Sequence, residues 1–272
     1  MENKNSSEYK NALKSEHLSE GVKPIIACVD TYDNMEDLGE FEELLFSDET
    51  REVESINFWA NPEKLKEKDF KNAGYRTYVI SAIDGADKFS KTFGDCTGIV
   101  AAGKDAETGD DVSFVSHQEP NFFTKEQPEK FAEDLRSRLT EMKKRCVAGT
   151  IDAVIVGGNY YPDTVVGEEF DKSHRDNYRN SINILSNEIS EVLGFEPAVI
   201  AGPKLSGGED HILYRNALRR LHLLRPQTGQ ASSESYLPKD FAEQEKKWEK
   251  QAKELREKKK TDPSKNDASN DE

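Results

Sequence analysis

The chain predicts an α+β fold. We expect a layered, sandwich-like arrangement of mixed or antiparallel β-sheet, flanking helices and disordered extensions at both ends. Three observations carry this. Short runs rich in β-branched residues recur through the middle of the sequence, among them "TYVISAI" (77–83), "CTGIVAAG" (96–103), "DVSFVSH" (111–117) and "PAVIAG" (197–202). Two longer segments between them carry apolar residues at helical spacing. Both ends of the 272 residues are polar, in a chain that is 35% hydrophobic and 33% charged.

In chain order, residues 1–21 read as a disordered arm and 22–74 as an acidic N-terminal extension. Within the extension, "PIIACVD" (24–30) reads as a short buried strand. The acidic run 35–54 places Leu38, Phe41, Leu44 and Leu45 at helical spacing, interrupted by Gly39. A packed core is expected over 75–226. There "DGADKFSKTFGD" (84–95) reads as a loop carrying two glycines, and "KDAETGDD" (104–111) as a polar turn. A helix follows over 124–146, with Thr124 and Gln127 as a capping box and an apolar stripe of Phe131, Leu135, Leu139 and Met142. "DAVIVGGNYY" (152–161) reads as a buried strand and two glycines. A second helix over 176–193 presents Tyr178, Ile182, Leu185, Ile189 and Val192 on one face, and Gly194 stops it. "GGEDHILYRN" (207–216) reads as a Gly-rich turn, then a strand or short helix. From 227 the chain reads as a linker, an exposed charged helix over 241–260 that is a candidate docking element, and a disordered tail.

Composition bounds the function. Lys plus Arg number 38 and Asp plus Glu 53, a net charge of −15 that repels nucleic acid and anionic lipid, so neither is an expected partner. No stretch approaches the ~20 apolar residues of a membrane span, and the first twenty residues hold no apolar leader core. The three cysteines, Cys28, Cys96 and Cys146, form no CxxC pair, which fits a reducing, cytoplasmic setting. His17, His174, His211 and His222 show no metal-ligand spacing, and we expect no metal or organic cofactor.

Chemistry concentrates in "KTFGDCTGIV" (91–100) and "SFVSHQEP" (113–120). Two strands joined by a short turn form an antiparallel hairpin, whose opposed residues have numbers with a constant sum. Cys96 opposite His117 centres the turn between Ala106 and Glu107, inside the polar turn segment. Centring it on Thr108 and Gly109 slips the pairing by a few residues. Opposed residues share a face, so a thiol and an imidazole there form a candidate nucleophile and base. A lone strand cysteine is ordinarily core filler. Hairpin arithmetic offsets that prior. Cys28 and Cys146 lie in apolar contexts and read as structural.

The order of motifs resembles the chemoreceptor glutamine deamidases of the CheD type, which share a Cys–His dyad with the catalytic domains of cytotoxic-necrotizing-factor toxins. "GDC" stands where that family has a small G-S-C stretch, "HQEP" where it has a histidine followed by Leu-Pro, and "IVGGN" where it has FGG. An Arg-Asn at a helix start, a strand and a "GG" segment follow in the family's order. The likeness covers residues 77–225. Asp95 departs from the family's small residue, and the last segment lacks an Arg after its glycines.

The resemblance implies a protein-glutamine deamidase acting on an exposed glutamine of a partner protein through a thioester. Cys96 would be the nucleophile and His117 the base, with either Ser90 or Thr92 orienting the imidazole. Backbone from Gly94 through Asp95 to Cys96 would hold the oxyanion. Gln118 and the floor of Gly157, Gly158 and Asn159 would meet the substrate. Two alternatives stand beside it. One is a catalytically inactive chain that keeps the fold as a protein-binding module, using the acidic run and the C-terminal helix. The other is a cysteine protease or transglutaminase-like enzyme, for which no third Asp or Asn partner is evident.

Overall fold

The computed structural model describes residues 6–8, 15–32, 50–53, 78–120, 128–158, 160, 168–201, 210–226 and 234–261. Its strands, in chain order, are β1 (Ser6–Glu8), β2 (Ile26–Tyr32), β3 (Thr50–Glu52), β4 (Tyr78–Ile80), β5 (Asp87–Phe93), β6 (Thr97–Lys104), β7 (Asp111–Gln118), β8 (Asp152–Gly157), β9 (Ala198–Ala201), β10 (Asp210–Arg215), β11 (Arg220–Pro226) and β12 (Glu234–Tyr236). The α-helices are α1 (Pro128–Arg145), α2 (Glu168–Leu193) and α3 (Phe241–Thr261).

The strands form two six-stranded sheets, ordered β1-β2-β11-β10-β5-β3 and β12-β9-β8-β6-β7-β4. Most pairings are antiparallel, with parallel contacts at β2/β11, β3/β5 and β8/β9. The α+β, layered expectation holds. Alternation along the strands builds two apolar layers. Val100, Ala102, Val115, Val154 and Val156 of the second sheet face Phe93, Ile212, Tyr214, Leu221 and Leu223 of the first. Ile99, Ala101, Phe114, Ala153 and Ile155 face the other way, onto Phe131, Leu135, Leu139 and Met142 of α1 and Tyr178, Ile182, Leu185 and Ile189 of α2. Burial on both faces explains why β6 and β8 read as continuous apolar runs. A bidentate fork from Arg136 Nε (2.9 Å) and Nη2 (2.7 Å) to Glu188 joins the two helices.

Several expectations are corrected. Residues 84–95, read as a loop, contain β5. Its inward side chains include Lys88 and Ser90, so polar residues occupy positions where a strand pattern shows apolar ones. Lys88 is fully buried, and its ammonium donates to Asp84 Oδ1 (3.0 Å), Ser113 Oγ (3.1 Å) and the Ala86 carbonyl (3.1 Å). β11 was not anticipated. The N-terminal arm contributes β1, and residues 15–21 turn against the body of the protein. Ser19 N–H donates to the Gly149 carbonyl (2.8 Å), and His17 stacks on Phe195 at 3.6 Å. The extension is integral to the first sheet through β2, which lies between β1 and β11, and β3 at its edge. Of the helical reading over 35–54, residues 35–49 and 54 lie outside the described residues, while Thr50–Glu52 is a strand. The second helix begins at Glu168, eight residues before the expected start.

The C-terminal helix exposes most of its described residues and packs one face on the body. Trp248 is fully buried, 4.8 Å from the Tyr160 ring and surrounded by Tyr178, Tyr236 and Phe241. Arg179 and the Tyr160 hydroxyl both bind Glu245 of α3. One indole buries enough area to anchor an otherwise charged helix, and its partners come from three distant segments. Among the described residues, no helix is long and apolar enough to cross a membrane. Replacing Trp248 with Ala should destabilise the protein by about 3–5 kcal/mol, read as a lowered urea midpoint. An unchanged midpoint would mean that α3 is not packed on the body.

Candidate functional site

The site is built where the two sheets meet, at the end of β6 that follows β5. The observed β6–β7 register pairs Thr97 with Gln118 and Val100 with Val115. The constant sum is therefore two more than the Cys96–His117 pairing requires. Gly98, not Cys96, lies opposite His117. Cys96 lies one residue before β6, outside the paired register, and packs against the inter-sheet cluster that contains Phe93, the ring stacked on His117. Among the described residues no hydrogen bond joins Cys96 Sγ to His117 Nε2.

His117 is almost fully buried, and three residues on two strands hold it. Its ring stacks on Phe93 at a centroid distance of 4.0 Å and an angle of 23°. Val79 of β4 pairs with it on the other side. Ser90 Oγ lies 2.9 Å from His117 Nδ1 and donates its own proton to the Val53 carbonyl at 2.8 Å. A hydroxyl has one proton. With that proton on Val53, Ser90 accepts from His117, and the network fixes the Nδ1–H tautomer. Nε2 is then a bare lone pair, buried and, among the described residues, without a hydrogen-bond partner. Desolvation holds the imidazole pKa down, from 6.5 to about 3, so the ring is neutral at physiological pH.

A β-bulge makes this possible. Ser90 pairs with Ile212 and Phe93 with Asp210, so β5 holds one more residue than β10 across that interval. Residues three apart on a regular strand face opposite sides. The extra residue turns both Ser90 and Phe93 toward His117. Of the two candidate orienting residues, Ser90 makes the contact. Thr92 lies in the bulge, and its side chain is outside the described residues.

Glycines clear the space. A Cβ on Gly98 would lie 2.4 Å from the Ser116 carbonyl and 2.9 Å from the Phe93 ring. Gly157, at φ +79°, would place one 2.6 Å from both the Cys96 carbonyl and the Phe93 ring. Gly158, at φ +85°, would strike Tyr178 at 2.8 Å. The two glycines thus admit the neighbouring backbone and rings. Asn159 lies outside the described residues. Gly94 and Asp95 are half-buried on the connection into β6, and Asp95 Oδ2 is 3.6 Å from His174 Nδ1 on α2.

Gln118 does not join His117. Adjacent strand residues face opposite sides. The Gln118 amide is buried on the helix side, donating to Thr97 Oγ1 at 3.3 Å, and Thr97 in turn meets Ser181 Oγ at 2.5 Å. Sequence reasoning missed the Val53 carbonyl, Phe93 and Ser181, whose roles depend on long-range pairing. The other cysteines are distant in kind. Cys28 is fully buried, and burial pushes the Cys146 thiol up to about 11. None of the three cysteines is in a disulfide. Among the described residues, no group of His, Cys, Asp or Glu side chains is arranged to hold a metal ion.

In comparisons with known proteins, the chain matches no protein-family model and no curated protein sequence.

The buried neutral imidazole has a consequence for stability. Between the ordinary pKa of 6.5 and about 3, the unfolded chain binds a proton on His117 that the folded chain refuses. Stability therefore falls as pH falls through that window, by up to about 1.4 kcal/mol per pH unit from this group. Urea denaturation of the native protein and of His117→Gln across the window should show the shallower dependence in the variant. Equal slopes would mean that His117 is protonated in the fold. Gly157→Ala should cost about 1 kcal/mol or more through its positive φ and its collision with Cys96 and Phe93, measured by the same denaturation.

Proposed function

We propose that this chain is a CheD-like protein-glutamine deamidase, with Cys96 as nucleophile, His117 as general base and acid, and Ser90 as the residue that orients His117. The observation that carries the proposal is the Val53–Ser90–His117 relay. It leaves Nε2 unprotonated, the state a thiol needs in a proton acceptor, on a ring stacked on Phe93 of the cluster that Cys96 also packs against.

The reaction follows from those groups. Cys96 Sγ attacks the carboxamide carbon while its proton passes to His117 Nε2. The tetrahedral oxyanion collapses, the C–N bond breaks, and Nε2–H gives its proton to departing ammonia. Water then attacks the thioester, giving its proton to Nε2, and glutamate and the Cys96 thiol are released. The sum is amide plus water to acid plus ammonia, which needs no redox partner. Backbone N–H groups of residues 94–96 are the oxyanion donors in this reading. Because the resting imidazole is neutral, proton transfer accompanies attack and does not precede it as a thiolate–imidazolium pair. Protein partners, substrate choice and a cytoplasmic location belong to the same proposal.

Two measurements test it. Iodoacetamide near neutral pH should label Cys96 faster than Cys28 or Cys146, and His117→Ala should slow that labelling. Ammonia release from unfolded, glutamine-containing polypeptides should vanish in Cys96→Ser and fall on the order of a hundredfold in Ser90→Ala. Indifferent labelling with no ammonia release would leave the fold as a protein-binding module.

A further inference from the structure

The residues on both sides of Cys96 are tied to α2. Asp95 Oδ2 lies 3.6 Å from His174 Nδ1, and Thr97 Oγ1 lies 2.5 Å from Ser181 Oγ. His174 and Ser181 are seven residues apart, about two helical turns, so they share one face of α2. Between them on that face sits Tyr178, whose ring lies against Gly158. The helix thus backs the segment that carries the nucleophile, from the side of the second sheet opposite His117.

The two ties do different work. Thr97 is already fixed by ladder pairing to Gln118 on one side and Gly157 on the other. Residues 94–96 lie outside the strands, on the three-residue connection that crosses from β5 in the first sheet to β6 in the second. Sheet pairing does not set their backbone angles. Asp95 Oδ2 makes a side-chain contact to α2 from this connection.

We infer that Asp95 and His174 form a positioning clasp that holds the 94–96 crossover on α2 and so sets the approach of Cys96 Sγ to His117 Nε2. This rests on the deamidase reading. The pair is partly exposed, its side chains 32% and 12% accessible. A partly exposed polar contact of that kind contributes little to stability. Misplacing a nucleophile by about 1 Å costs on the order of a hundredfold in rate. A clasp therefore affects reactivity far more than folding, whereas a merely structural pair shows the reverse.

The test is the iodoacetamide rate at Cys96, with Cys28 and Cys146 as references in the same sample and thermal denaturation alongside. Asp95→Asn and His174→Ala should each slow Cys96 roughly tenfold with little change in Tm. His174→Lys, which places a cation opposite Asp95, should recover most of the native rate. Native rates in Asp95→Asn and His174→Ala overturn the clasp alone. So does a His174→Lys rate as low as that of His174→Ala, or slowing that tracks a loss of Tm. If Cys96 of the unaltered protein reacts no faster than Cys28 and Cys146, the deamidase reading fails and the clasp with it.

Discussion

The hydrogen bond from Ser90 to the Val53 carbonyl decides what His117 can do. A serine hydroxyl can donate once. If that proton were free to turn toward the imidazole, Nδ1 could be an acceptor and Nε2 could carry the hydrogen, a state that cannot take a proton from a thiol. With the proton committed to Val53, Nδ1 must donate and Nε2 must accept. Three segments remote in sequence converge on this relay: the residue after β3, the bulged strand β5 and the end of β7. Burial adds the second half of the constraint, because a desolvated ring resists charging.

Space around the relay is set as tightly as its hydrogen bonds. Phe93 occupies the volume that a side chain at Gly98 or Gly157 would claim, and its ring lies flat against the imidazole. The stack fixes the ring plane, and the Ser90 contact fixes its rotation within that plane. The bulge in β5 supplies both residues from one strand. A glycine on either neighbouring strand is therefore a packing requirement of the imidazole, whether or not it also meets a substrate.

Much of this was legible in the sequence, and the exceptions share a cause. β6, β7, β8, α1 and the body of α2 announce themselves through local periodicity. Hairpin arithmetic finds the β6–β7 turn with a register two residues off, and Cys96 falls just outside the observed ladder. β5 was hidden because Lys88 and Ser90 face inward and break the apolar alternation that marks a strand. Those polar residues are there to satisfy Asp84, Ser113, Val53 and His117, partners that no local window contains. α3 is legible as a charged helix, while the burial of its anchor Trp248 depends on aromatic residues from far along the chain. The Ser90/Thr92 ambiguity could not be resolved locally either, because a bulge is an event of pairing.

The position of Val53 changes how the acidic N-terminal extension is understood. An appended segment could be removed without touching chemistry. Here Val53 N–H donates to the Phe89 carbonyl (2.7 Å), its side chain is buried in the inter-sheet core, and its carbonyl takes the Ser90 proton. The strand that leads into Val53 is thus part of the device that sets the histidine tautomer. Its loss would expose His117 to water and free the Ser90 hydroxyl at once, releasing both constraints that keep the imidazole neutral with its lone pair at Nε2. Order in a short edge strand, supplied by a parallel pairing to β5, is in this way coupled to the protonation state of a histidine on the other sheet.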